Sequence, residues 1–281
     1  MSSSADSCHD ADRGVRQGSA ELTFARRGDR TVLVHSRVAA PMTLVRPFPL
    51  PDGRALVQLI TLGPGLCGGD DVRLRVTAGE GASVVVTTTA ATRVLSMQPD
   101  MRAEQHVEIR AARGATIEYY PAVTIPFPES TFAQTVNVEA QAGSRVGVME
   151  TWALGRTARG EYLDFHSLTN RTTLHVDGAL AYADQTELRP GAHALRGAGV
   201  LAGRRYLATG VWYGVTVPDQ PRDAAANDDL LMAFAQSRPG IAYLRALGSD
   251  APALDARLRT VTDAIAAAWG QPPVSLDRFR C

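Results

Sequence analysis

Lysine is absent from this 281-residue chain: all 29 of its basic residues are arginine. A genome-level codon bias accounts for that, yet the absence excludes chemistry. No Schiff-base lysine can form and no P-loop lysine can grip a phosphate, so the chain is not itself a Walker-type GTPase or ATPase. Cysteine is nearly absent as well: Cys8, Cys67 and Cys281 are too few and too scattered for a disulfide framework or a cysteine-rich zinc site. Net charge is missing, with 29 basic residues against 29 acidic ones, so no global field draws nucleic acid or an anionic membrane. No apolar run approaches the roughly 20 residues that cross a bilayer. The opening MSSSADSCHDADRG is polar and acidic, unlike a secretory leader. A cytoplasmic protein without nucleic-acid or membrane partners is the expectation.

What is present is β texture. Residues 1–20 are rich in Ser, Asp and Gly and read as a disordered tail; residues 21–281 read as one β-rich domain. Segments such as LVQLITL (56–62), VRLRVTA (72–78), HVEIRA (106–111) and FAQTVNVEA (132–140) are dense in Val, Thr and Ile, and many alternate apolar with polar residues. A loose repeat of strand, glycine turn and strand recurs around Gly81, Gly114, Gly143 and Gly178, at a spacing suited to stacked units. Glycine there supplies the positive φ of tight hairpin turns. Further on, AANDDLLMAFAQSR (225–238) has helical spacing up to Pro239. In 250–270, Leu254, Leu258, Val261, Ile265 and Trp269 form an amphipathic stripe, ended by Gly270 and Pro272. The expected fold is mainly β, a layered solenoid-like or sandwich-like sheet stack with two C-terminal helices at about 225–270. The second helix is expected to cover its own sheet.

In LGPGLCGGDDVRLRV, Gly63, Gly65 and Gly68 have the G-x-G-x-x-G spacing of a dinucleotide loop. That fingerprint requires a helix after the glycines, with its N-terminus facing the pyrophosphate. VRLRV instead resumes a period of two, and two carboxylates beside the loop would repel a pyrophosphate. The stretch reads as a strand-to-strand connection in which Asp70 bonds local amides.

Three blocks resemble the UreD (also UreH) family of urease accessory proteins. The first is CGGDDVRLRVTAGEGASVVVTTTAATRV, with Gly68-Gly69-Asp70 before a strand and Thr88-Thr89-Ala90-Ala91-Thr92-Arg93-Val94 after a Gly-Ala turn. The second is PAVTIPFPES (121–130) and the third METWALGRTARGE (149–161). LDRFRC (276–281) is similar to the family's ending but lacks its Pro and Trp. The resemblance implies a non-enzymatic assembly factor of mostly β fold. Its implied partners are a UreF-like protein, a UreG-like nickel-carrying GTPase recruited through it, and apo-urease. Nickel would be in transit, with no tightly bound cofactor.

An ion in transit needs ligands that release it, and carboxylates and carbonyls do so more readily than thiolate clusters. Candidates are Glu150, set in an apolar strand, with Glu187, Asp184, Asp70, Asp71 and the hydroxyl of Thr88. The alternative for each carboxylate is pairing with an arginine such as Arg156 or Arg189, and for Thr88 an ordinary strand position. Candidate partner-contact residues are Gly68, Gly69, Ile125, Phe127, Arg156, Arg159 and Glu161, with TIPFP read as a rigid exposed loop and Arg156 as a fork for a partner's carboxylate. No metal ligand is assigned: the histidines, His106 among them, lack close zinc spacing and read as ordinary hydrogen-bonded residues. Cys67 reads as a small buried hydrophobe. The rival class is a β-solenoid carbohydrate-active enzyme using Asp70 and Asp71. Adjacent strand residues point to opposite faces, which argues against a shared substrate.

Overall fold

A computed structural model describes residues 16–216, 225–226 and 229–276. Along the chain run β1 (Gln17–Arg27), β2 (Arg30–Ala39), β3 (Met42–Leu44), β4 (Phe48–Pro49), β5 (Ala55–Thr61) and β6 (Asp71–Ala78). There follow β7 (Ser83–Thr88), β8 (Thr92–Val94), β9 (Ala103–Ala111), β10 (Thr116–Tyr119), β11 (Thr124–Pro126), β12 (Thr131–Ala140) and β13 (Arg145–Ala153). The remainder comprises β14 (Ser167–Val176), β15 (Ala179–Leu188), β16 (Tyr206–Tyr213), β17 (Ala225–Ala226), β18 (Leu230–Arg238), β19 (Ile241–Gly248) and the helix α1 (Ala251–Ala268).

Two sheets face each other. One has seven strands in the order β15-β14-β12-β9-β6-β1-β2; the other has twelve, with the path β17-β18-β19-β16-β13-β10-β7-β5-β3. The chain crosses from one sheet to the other at each of the first three glycine turns, β6 to β7, β9 to β10 and β12 to β13. Successive strands therefore stack in parallel on both sides. The fold is the expected solenoid-like stack, but its glycine turns differ from expectation. Gly81, Gly114 and Gly143 form arches between sheets, and only Gly178 closes a hairpin, between β14 and β15. All four have positive φ, from 66° to 82°. The arches bond one another, Gly81 N–H donating to Arg113 O (3.3 Å) and Gly114 N–H to Gly143 O (3.2 Å).

Covering explains the sequence pattern. The seven-stranded sheet has a wet outer face, so β1, β6 and β12 alternate buried and more exposed residues. The parallel strands β5, β7 and β10 of the other sheet are covered on both sides and read as nearly continuous buried runs. Their inner covering is the apolar core of Val57, Val84, Val86, Ile117, Val107 and Val136. On the outer side of this sheet, Leu254, Leu258, Val261 and Ile265 of α1 pack with Trp212, Leu244 and Met232, as the stripe predicts. Asp250 caps α1, accepting from Ala253 N–H at 2.9 Å.

Two expectations change. Residues 230–238 are strand, not helix: β18 pairs antiparallel with β19 across Pro239 and Gly240, the latter at φ 81°. The Ala-rich composition favours helix, but an open sheet edge beside β19 decides the conformation. One C-terminal helix therefore replaces two. β1 also begins at Gln17, inside the expected tail, because its first residues pair with Asp71 to Leu74 of β6. Residues 1–15 and the end of LDRFRC lie outside the described residues.

Candidate functional site

The three separated sequence blocks meet at one end of the stack, opposite the glycine arches. Leu66 bridges Val94, and β8 pairs with β11, which itself reaches β13 at Thr124 and Trp152. Cys67, Leu95 and Phe127 are buried together there, with Ile125 partly buried against them. The guanidinium of Arg156 lies 4.3 Å from the centre of the Phe127 ring. TIPFP is therefore not an exposed loop; Phe127 is only 7% exposed because Cys67, Leu95 and Arg156 close over it. Nor does Arg156 wait for a partner's carboxylate. Its fork is occupied within the chain, Nε donating to Glu161 Oε2 (2.7 Å) and Nη2 to Oε1 (2.5 Å). Arg159 lies in the short 3₁₀ turn Thr157–Arg159 between the two.

The glycine loop is a strand connection, as its context predicts. Asp70 is buried, accepts from Cys67 N–H at 2.8 Å, and is ion-paired with Arg16. Gly69 takes φ 86° and donates to Arg102 O at 2.8 Å. A Cβ on Gly68 would sit 2.7 Å from Met101 Cβ. Asp71 begins β6, is only partly buried and pairs with Arg73 at 2.7 Å. The two aspartates thus face different surroundings.

A polar layer crosses the space between the sheets near this end. Parallel register sets Gln105, Gln134 and Asn170 side by side on β9, β12 and β14, with Thr186 of β15 next in line. On the facing sheet one rung holds Glu150 of β13, Thr209 of β16 and Arg245 of β19. Glu150 is 4% exposed and accepts from Gln134 Nε2 and, at 3.3 Å, from Asn170 Nδ2. Among the described residues no arginine pairs with it. Burial pushes its carboxyl up to about 7, against the smaller pull of those two amide bonds. Burial and the neighbouring Glu150 likewise raise the phenol of Tyr119. Apolar residues separate on either side of the layer, with Val146, Val148, Val136 and Leu174 in one cluster and Trp152, Leu154, Leu168 and Leu188 in another.

The layer reaches the surface at Asp184, whose oxygens both accept from Arg245 Nη2, at 2.7 and 2.8 Å. A cavity of about 10 Å³ lies between, lined by Glu150, Thr172, Tyr182, Asp184 and Thr209 among others. That is room for one water-sized occupant. Of the candidate carboxylates, then, Glu150 and Asp184 share one layer. Glu187 pairs with Arg189 at 2.5 Å and stands apart from it. Thr88 accepts from Ala122 N–H (2.9 Å), donates to Ala90 O (3.1 Å), and lines a separate groove of about 80 Å³ beside Gly65 and Arg93.

Sequence reasoning missed Gln134 and Asn170, although both hold inward positions, Gln134 between Phe132 and Val136 and Asn170 between Leu168 and Thr172. It also missed Glu118 of β10, buried against Arg54 at 2.8 Å beneath the segment that follows α1; there burial outweighs the arginine and raises the carboxyl. In TIEYY that acid alternates with apolar residues, as a wet strand face would, so only the outer covering marks it as buried.

These features define a class: a solenoid-like β scaffold with a polar layer through its interior and a terminal rim built from three distant segments. The comparisons name the family. A family model described as UreD urease accessory protein matches residues 16–281. The chain is 34% identical over 254 residues, 90% of its length and 91% of the relative's, to a protein of Deinococcus radiodurans named urease accessory protein UreD. It is 38% identical over 192 residues to urease accessory protein UreD 1 of a Synechococcus strain, covering 68% and 72% of the two chains. With the UreD of Actinomyces naeslundii it shares 27% over 273 residues, 93% and 98% of the two. The chain belongs to the UreD family of urease accessory proteins. Among the described residues no helix is long and apolar enough to cross a membrane.

Proposed function

We propose that this chain is a scaffold for assembly of the urease nickel centre, docking a UreF-like protein and, through it, a UreG-like GTPase on apo-urease. Nickel is cargo in this reading, handed through the interior and held by no resident site. The observation that supports it is the polar layer. Glu150, Gln134, Asn170, Thr209 and Thr172 bring oxygen donors into an otherwise apolar sandwich and connect them to Asp184 at the surface. Burying a carboxylate without a cation is costly, and neutral amides offset only part of that cost. Oxygen donors bind a divalent first-row ion weakly enough to let it go, where thiolates would retain it. In this reading the protein partner meets the rim at Gly68, Gly69, Ile125, Arg159 and Glu161, with Phe127 buried beneath it and the Arg156 fork taken by Glu161.

The test is Glu150→Ala in a strain that makes its own urease. The complex is expected to assemble as before, judged by co-purification of the UreF-like and UreG-like proteins, while urease activity and nickel content fall. Unchanged nickel content would return Glu150 to a purely structural role. Normal holo-urease in a strain lacking this chain altogether would sink the scaffold reading.

A further inference from the structure

On the wet face of the seven-stranded sheet we infer a site for a divalent transition-metal ion, formed by Asp71, Glu104 and His106. One ligand atom from each lies within 4.8 Å of the others. The backbone fixes this grouping. Asp71 and Glu104 are register partners in the parallel pair β6–β9, and His106 is two residues beyond Glu104 on the same face. His106 Nε2 stands 3.7 Å from Asp71 Oδ1 and 3.8 Å from Glu104 Oε2. Those gaps are too long for hydrogen bonds. They lie within a few tenths of an ångström of the spacing of three donors around one centre, because bonds of about 2.1 Å at tetrahedral angles place the donors about 3.4 Å apart.

The imidazole is held from behind. His106 Nδ1 meets Thr135 Oγ1 of the next strand, β12, at 2.9 Å. With Nδ1–H donating there, Nε2 presents its lone pair to the two carboxylates, and it has no hydrogen-bond partner among the described residues. An outer hydrogen bond of this kind fixes tautomer and ring orientation for a metal-bound histidine. The carboxylates have arginine partners, Arg73 on Asp71 (2.7 Å) and Arg102 on Glu104 (2.6 Å). Both arginine side chains are about two-thirds exposed, 67% and 65%, and such surface pairs give way readily. One imidazole and two carboxylates form a borderline set that favours nickel, zinc or cobalt over magnesium and leaves coordination positions for water or a donor from another protein. The site adjoins the glycine loop, since Asp70 O accepts from Glu104 N–H and Gly69 donates to Arg102 O. It does not depend on the proposed role in urease assembly.

The experiment is calorimetric titration of the metal-stripped, full-length chain with Ni(II), with Zn(II), and with Mg(II) as control. Wild type is expected to bind Ni(II) and Zn(II) at a site that His106→Ala and Asp71→Asn each weaken at least tenfold. Cys8→Ser/His9→Ala should leave that site intact, separating it from any binding by the N-terminal segment. In ¹H–¹⁵N spectra of the imidazoles, Zn(II) should move Nε2 of His106. Equal affinity and stoichiometry in wild type and both site variants, or an unmoved His106 resonance at saturating Zn(II), overturns the inference.

Discussion

The ionisation of Glu150 should be visible in the stability of the whole protein. Its carboxyl rises from 4.5 to about 7 in the folded chain, with burial the main cause. Below about pH 4.5 the group is protonated whether the chain is folded or not, and contributes no penalty. Between about pH 4.5 and 7 the unfolded chain releases the proton while the folded chain keeps it. The unfolded state then binds fewer protons, so unfolding free energy declines as pH rises and levels off above the folded value. At 1.36 kcal/mol per pH unit the total is about 3 kcal/mol. Glu150→Gln carries no titrating proton and still offers an amide to Gln134 and Asn170. Urea unfolding of both proteins at several values between about pH 5 and pH 8 isolates the effect, since every other group titrates in both and cancels. The stability of wild type relative to the variant should worsen by about 2.5 kcal/mol over that range. A swing below about 0.5 kcal/mol would refute the reasoning and place Glu150 in a wetter site than the sandwich interior.

Two further outcomes follow from the packing. Arg54→Ala strips the cation from Glu118, where both partners are 4% exposed; a loss of about 3–5 kcal/mol is expected by chemical denaturation, and Arg54→Ala/Glu118→Gln should recover part of it. Gly147→Ala places a Cβ 2.7 Å from both Trp212 Cδ1 and Tyr120 Oη, whose ring groups hydrogen-bond at 3.0 Å. A cost of about 1–3 kcal/mol and an altered near-ultraviolet tryptophan signal are expected, and an unchanged melt would mean the sheet can open there freely.

Much of the fold is legible in the residues. Alternation in VRLRVTA and FAQTVNVEA marks strands with one wet face, and the stripe from Leu254 to Ile265 marks a covering helix. The arches were harder. A glycine at positive φ serves a hairpin and an arch equally well, and only the pairing of β6 with β9 rather than β7 distinguishes them. LLMAFAQSR failed because its helical composition yields to the edge beside β19. At the site, Glu150 stood out as a lone acid between valines and Trp152. Its amide partners did not, because a glutamine or asparagine in a strand acquires meaning only from what lies across the gap. Arg156 and Phe127 are 29 positions apart in the chain, and nothing local tells that one lies over the other.

The antiparallel strands at the two margins of the seven-stranded sheet set a boundary condition on growth. In that sheet β1, β6, β9, β12 and β14 run in parallel, each offering the next a complete row of amides and carbonyls. Such a stack has no intrinsic length and would accept another copy's strand as readily as its own. β2 folds back on β1 and β15 on β14, reversing direction at both margins. Either reversal ends the run of parallel pairing, and Arg30 and Arg37 add charge and bulk along β2. The length of the parallel stack is thereby set by its own margins, and the rows of amides and carbonyls inside it are taken by neighbouring strands of the same chain.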